Sequence, residues 1–132
     1  DFQQLSVLRR MVRDLAMPVR IVPGPLVRDV DGLALSSRNA YLSPEERARG
    51  LSLHRALGQM REAAARGEVE VSRLLTIGHA ALQADRLDYL EVVDAETLEP
   101  LERLGDQPAR ALVAGHFGRT RLIDNVAIGG AP

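Results

Sequence analysis

No helix and no central strand can run through Pro23-Gly24-Pro25. Two residues without an N–H flank one without a side chain, so the tripeptide ends whatever precedes it. It divides the chain into a short leading part and a long trailing one. In the leading part, Asp1-Phe2-Gln3-Gln4 has the pattern of a capping box, an N-cap Asp with a Gln three residues on. Phe2, Leu5, Leu8, Val12 and Leu15 then recur at helical spacing and predict one apolar face. Pro18 stops that helix, and the β-branched run Val19-Arg20-Ile21-Val22 reads as a short strand. Helix followed closely by strand is the tail of an αβ unit. A lone unit makes no parallel sheet, so its neighbours are expected outside this chain. The start at Asp1, without a methionine and at a helix cap, fits a fragment or processed piece of a longer protein.

The trailing part begins with a connection containing the Asp31-Gly32 turn. Ser43-Pro44-Glu45-Glu46 then combines three helix-start signals: Ser as N-cap, Pro in the first turn and Glu at the capping-box position. Leu53, Ala56, Leu57, Met60 and Ala64 line one side of the helix that follows, and Gly67 is a fitting stop. A second helix carries Val71, Leu74, Leu75, Gly78, Ala81 and Leu82 at the same period. Residues 87–93, 109–117 and 120–126 read as strands, with a turn at Gly118-Arg119. Two helices followed by a three-stranded antiparallel sheet define a small α+β domain.

Composition narrows the chemistry. The formal charge is -1, and all 17 basic residues are arginine, scattered among 18 acidic ones, so nucleic acid and anionic membranes are not expected partners. Any lysine chemistry must come from outside this chain. No apolar run approaches the roughly 20 residues of a membrane span, no export leader is visible, and cysteine is absent. Together these fit a cytoplasmic protein. His54, His79 and His116 have no metal-ligand spacing, and no metal site is expected. G-x-S-x-G, Walker and G-x-G-x-x-G motifs are all missing. Glu45 and Glu46 have a sufficient role opposing the positive end of a helix dipole.

Ser36-Ser37-Arg38 is the chemically informative stretch, followed directly by Asn39. Two hydroxyls, backbone N–H groups and a guanidinium make a compact donor set suited to phosphate oxygens. An arginine there can also stabilise the charge that builds on a pyrophosphate leaving group. The plain alternative is a polar loop with Ser/Asn turn chemistry.

Four segments, "DFQQL", "VRDVDGLALSSRNAYLSPEER", "LDYLEVVDAETLEPL" and "ARALVAGHFGRTRLIDNV", together resemble the pantothenate synthetase (pantoate–β-alanine ligase) family in order and spacing. The resemblance implies ATP- and Mg²⁺-dependent condensation of pantoate with β-alanine through pantoyl adenylate. It implies a Rossmann-like nucleotide-binding domain ending within residues 1–26, and a C-terminal α+β lid domain over residues 27–132. Ser36, Ser37 and Arg38 would hold the ATP phosphates and act in catalysis. Val27 and Leu35 would contact adenine through the backbone, Asp1 would approach the ribose, and Gln4 would bind pantoate. Leu35, Leu26 and Pro23 stand where the family often has methionine, threonine and glycine, which changes the adenine wall more than the chemistry. The family's histidine motif and phosphate-binding lysine would lie outside this chain, as would Mg²⁺ ligands and most of a homodimer interface. The fragment is therefore expected to be inactive alone. A rival reading is a non-catalytic lid or interaction module, which would have no use for half of an αβ unit.

Overall fold

The computed structural model describes residues 1–129. Helix α1 spans Phe2–Asp14, α2 Pro44–Ala65 and α3 Val71–Ala81, and a 3-10 turn covers Ser37–Tyr41. Strands β1 (Arg86–Asp94), β2 (Ala109–Phe117) and β3 (Thr120–Ile128) form one antiparallel sheet in the order β1-β2-β3. The expected α+β class, with its three-stranded antiparallel sheet, is the observed one.

Helix α2 starts where its signals place it. Glu46 N–H donates to Ser43 Oγ (3.1 Å) and Ser43 N–H donates to Glu46 Oε2 (2.8 Å), which satisfies two donors of the first turn. Leu53, Ala56, Leu57 and Met60 are buried along it. Helix α3 lies close against α2 and β1 at Gly78, where an added Cβ would sit 2.5 Å from Met60 Sδ and 2.7 Å from Leu90 Cδ2. Val92, Ala111, Val113, Phe117, Leu122 and Ile128 complete the core from the sheet side. The β2–β3 hairpin closes through Gly118-Arg119, with Phe117 opposite Thr120 and Gly118 at φ +59°. Its turn is tied down by Gly118 N–H donating to Asp85 Oδ2 (2.7 Å), and Asp85 in turn pairs with Arg49 of α2.

The strand expected at residues 19–22 is not formed. Residues 20–26 make no backbone–backbone hydrogen bond among the described residues, and Val19 and Val22 are 51% and 70% exposed. A strand of a parallel sheet exists only through its neighbours, and none pairs with this one. Helix α1 forms but buries none of its residues. Its tie to the sheet is Arg110 of β2, whose guanidinium stacks 4.1 Å from the centroid of the Phe2 ring.

Candidate anion-binding site

Residues 27–35 form a miniature hairpin. Leu35 N–H donates to Val27 O (2.9 Å), Asp29 N–H to Leu33 O (2.8 Å) and Gly32 N–H to Asp29 O (2.9 Å). The left-handed Gly32 (φ +95°) makes the turn, and an added Cβ would meet His54 Cδ2 of α2 at 2.8 Å. Two arginines fasten this hairpin to the domain. Arg28 grips Asp124 of β3 with both nitrogens (2.7 and 2.8 Å) and also donates to Gly32 O (3.0 Å). The Asp124 side chain is only 3% exposed. Arg47 of α2 donates to Asp29 (2.8 Å) and Asp31 (2.9 Å). The Leu33 N–H, with Arg47, holds the Asp31 carboxyl below its ordinary range, and the two carboxylates raise Arg47. Burial, then the charge of Arg28, lowers His54.

The loop that follows is shaped locally. Ser36 caps the 3-10 turn, its Oγ accepting from Arg38 N–H (3.2 Å). Asn39 Nδ2 donates back to Ala34 O (3.1 Å), while Asn39 Oδ1 is buried without a partner. Arg38 is exposed and has no carboxylate within 4.0 Å among the described residues. A cationic donor without a carboxylate partner among the described residues, beside a capping serine, is suited to an external anion.

Asp1, Leu35, Ser36 and Arg38 line one cavity of about 220 Å³, walled on its far side by β3 from Arg121 to Asn125. Arg38 also borders an outer groove of about 660 Å³ with Tyr41, Arg119 and Arg121. Of the residues expected at a site, Ser37, Val27 and Gln4 do not line the smaller cavity. Ser37 is exposed on the 3-10 turn. Val27 pairs with Leu35, which consumes Val27 C=O and Leu35 N–H and leaves Val27 N–H and Leu35 C=O without backbone partners among the described residues. At α1, Asp1 Oδ1 accepts from Gln4 N–H (3.1 Å), but the Gln4 carboxamide returns no bond to Asp1 among the described residues. Only the Asp half of that capping box forms, so the Gln4 side chain is available to a ligand. Sequence reasoning did not single out Arg28, Asp124, Arg47 or Asn125, all held by contacts between distant segments. No group of three or more His, Cys, Asp or Glu among the described residues could hold a metal ion.

Fold and loop together define a helix-led α+β domain that presents hydroxyls and an unpaired guanidinium at its edge. A model of the pantoate-beta-alanine ligase family matches residues 1–127, and the chain belongs to that family. It is 54% identical over 127 residues to the pantothenate synthetase of Anaeromyxobacter dehalogenans, covering 95% of this chain and 44% of that protein. The pantothenate synthetase of Rubrobacter xylanophilus is 53% identical over 131 residues, covering 97% of this chain and 45% of the relative. The crystal structure of pantothenate synthetase from Thermus thermophilus superposes with a TM-score of 0.91 at 52% identity, over 98% of this chain and 47% of that one. The chain thus spans somewhat less than half the length of these relatives.

Proposed function

We propose that the chain serves as the C-terminal part of an ATP-dependent ligase that condenses pantoate with β-alanine. Residues 1–26 would belong to its nucleotide-binding domain and residues 27–132 would form the domain that carries the loop. The observation that carries this reading is the convergence of Asp1, Leu35, Ser36 and Arg38 on one cavity, drawn from α1, the hairpin and the 3-10 turn.

The residue roles are those that the family resemblance implies, and the donors and acceptors present are compatible with them. Val27 N–H and Leu35 C=O have no backbone partner among the described residues and would supply the main-chain donor and acceptor for adenine. The Asp1 carboxylate, acceptor only, suits a ribose hydroxyl. Ser36, Ser37 and Arg38 supply hydroxyl, backbone and guanidinium donors to phosphate oxygens, and Gln4 offers its carboxamide to pantoate. In the first half-reaction a pantoate carboxylate oxygen bonds to the α-phosphorus. The bond from that phosphorus to the bridging oxygen breaks, and its electron pair leaves with pyrophosphate. Arg38 opposes the charge that develops on the leaving group. In the second half-reaction the β-alanine nitrogen bonds to the acyl carbon, AMP departs with the C–O electron pair, and the amine loses a proton. Mg²⁺ would travel with the nucleotide and screen its phosphates, held by groups outside these residues.

The test is Arg38→Ala in the full-length enzyme. Pantoate-dependent pyrophosphate release is expected to fall about a hundredfold to a thousandfold, with the unfolding midpoint unchanged. An unaltered rate would reduce the loop to a polar connection.

A further inference from the structure

Asn125 lies on β3 opposite Leu112, and its side chain is oriented by Arg110. Arg110 Nη1 donates to Asn125 Oδ1 at 2.8 Å. A guanidinium has only donors, so the amide oxygen of Asn125 must face it and the NH₂ group must point elsewhere. That nitrogen takes no partner among the described residues and is not among the buried orphan atoms, so it is accessible. Arg110 itself is partly buried, stacked on Phe2, and has no carboxylate within 4.0 Å among the described residues. Its side-chain hydrogen bond goes to Asn125. An arginine so placed fixes the direction of that amide.

Asp1 and Asn125 border the same two spaces. One is the cavity that holds Ser36 and Arg38, and the other is an adjoining cavity of about 380 Å³ that reaches Phe2 and Arg110. Asp1 Oδ1 is engaged with the Gln4 N–H, which leaves the second carboxylate oxygen as an acceptor. An acceptor-only group beside a donor-only group is not a phosphate site, because the carboxylate would repel the anion. It is the complement of a hydroxyl, which gives one hydrogen bond and takes another.

We propose that Asn125 is a further nucleotide-contacting residue, donating its amide N–H to a ribose hydroxyl that in turn donates to Asp1. This rests on the adenylating reading above. Arg110 is then a positioning residue, acting through Asn125.

Steady-state kinetics of the full-length enzyme test it, with ATP and with its two analogues lacking the 2′ or the 3′ hydroxyl. Asn125→Asp keeps an oxygen for Arg110 and loses the donor, whereas Asn125→Ala loses both. In either variant KM for ATP is expected to rise at least about threefold to tenfold, the span of one hydrogen bond, with kcat little changed. The penalty that the unsubstituted enzyme shows for losing one of the hydroxyls should shrink in both variants, because the Asn125 bond is already gone and only the bond to Asp1 is left to lose. Added negative charge in Asn125→Asp would weaken all three nucleotides alike and leave their ratios untouched. Ratios identical in variant and unsubstituted enzyme would overturn the inference. If Arg38→Ala still disables adenylation in that case, Asn125 alone is removed from the site. A full-length enzyme that cleaves no ATP in the presence of pantoate would overturn the adenylating reading and this inference with it.

Discussion

At the scale of single residues, the loop depends on side chains that pack against its turn. His54 packs under Gly32, close to Arg28, Asp124 and Arg61, and its pKa lies below the ordinary 6.5 because it is buried and then because of the Arg28 charge. Asp124 pulls in the opposite direction without reversing the shift. On acidification the unfolded chain takes this proton first. The stability that a neutral His54 provides is therefore complete above pH 6.5 and is lost as the pH falls towards the lower folded value. His54→Gln is expected to flatten the decline in denaturation midpoint between about pH 7.5 and 5.5. A slope as steep as in the unsubstituted protein would assign the decline to other groups. Asp31 follows the same sign in a lower window, since its carboxyl lies below 3.8 and its contribution disappears only as the pH falls through that lowered value. None of this was legible beforehand. The sequence shows a histidine on a helix and an Asp-Gly turn, and only the fold puts one against the other.

At the scale of elements, the readable parts were those whose signals are local. The Ser43 capping box, the stop at Gly67 and the Gly118-Arg119 hairpin each satisfy their backbone groups within a few residues, and each stands where the sequence put it. Residues 19–22 failed for the opposite reason, since β-branched residues favour extended backbone but cannot supply a neighbouring strand. The hairpin at 27–35 falls between these cases. Its turn was readable, but the Arg28–Asp124 clamp joins residues 96 apart, and no spacing rule reaches that far. Breaking one partner of so buried a pair leaves a charge without compensation, at a cost of order 3 kcal/mol. Asp124→Asn is accordingly expected to lower the unfolding free energy by about that amount in urea titrations, and to raise KM for ATP by loosening the loop. A paired apolar replacement, Arg28→Met with Asp124→Leu, should recover much of the stability but not KM, because the bond to Gly32 O stays lost. Recovery of both would make the clamp a matter of stability alone.

At the scale of the whole molecule, the described residues make a continuous core with the proposed site at its edge. α2, α3 and the sheet bury a continuous apolar cluster, whereas α1 and its C-cap leave Val7, Leu8, Met11 and Leu15 between 38% and 67% exposed. With 17 arginines and no lysine, the chain could offer a phosphate guanidinium donors but no lysine ammonium. Adenylation requires several groups fixed around one phosphorus, and a subset of them forfeits most of the positioning advantage. The isolated 132 residues are therefore expected to release no pyrophosphate above background in the presence of ATP and pantoate. Release that depends on pantoate would show the site to be complete within them. The double anchoring of the hairpin by Arg28 and Arg47 has a mechanical consequence. The hairpin fastened to β3 and α2 is held to the body of the domain, and the 3-10 turn that carries Arg38 follows directly from it. Residues 20–26, which lead from α1 to the hairpin, make no backbone–backbone hydrogen bond among the described residues. Anchor and connection are thus separate parts of the chain, and each can be altered without touching the other.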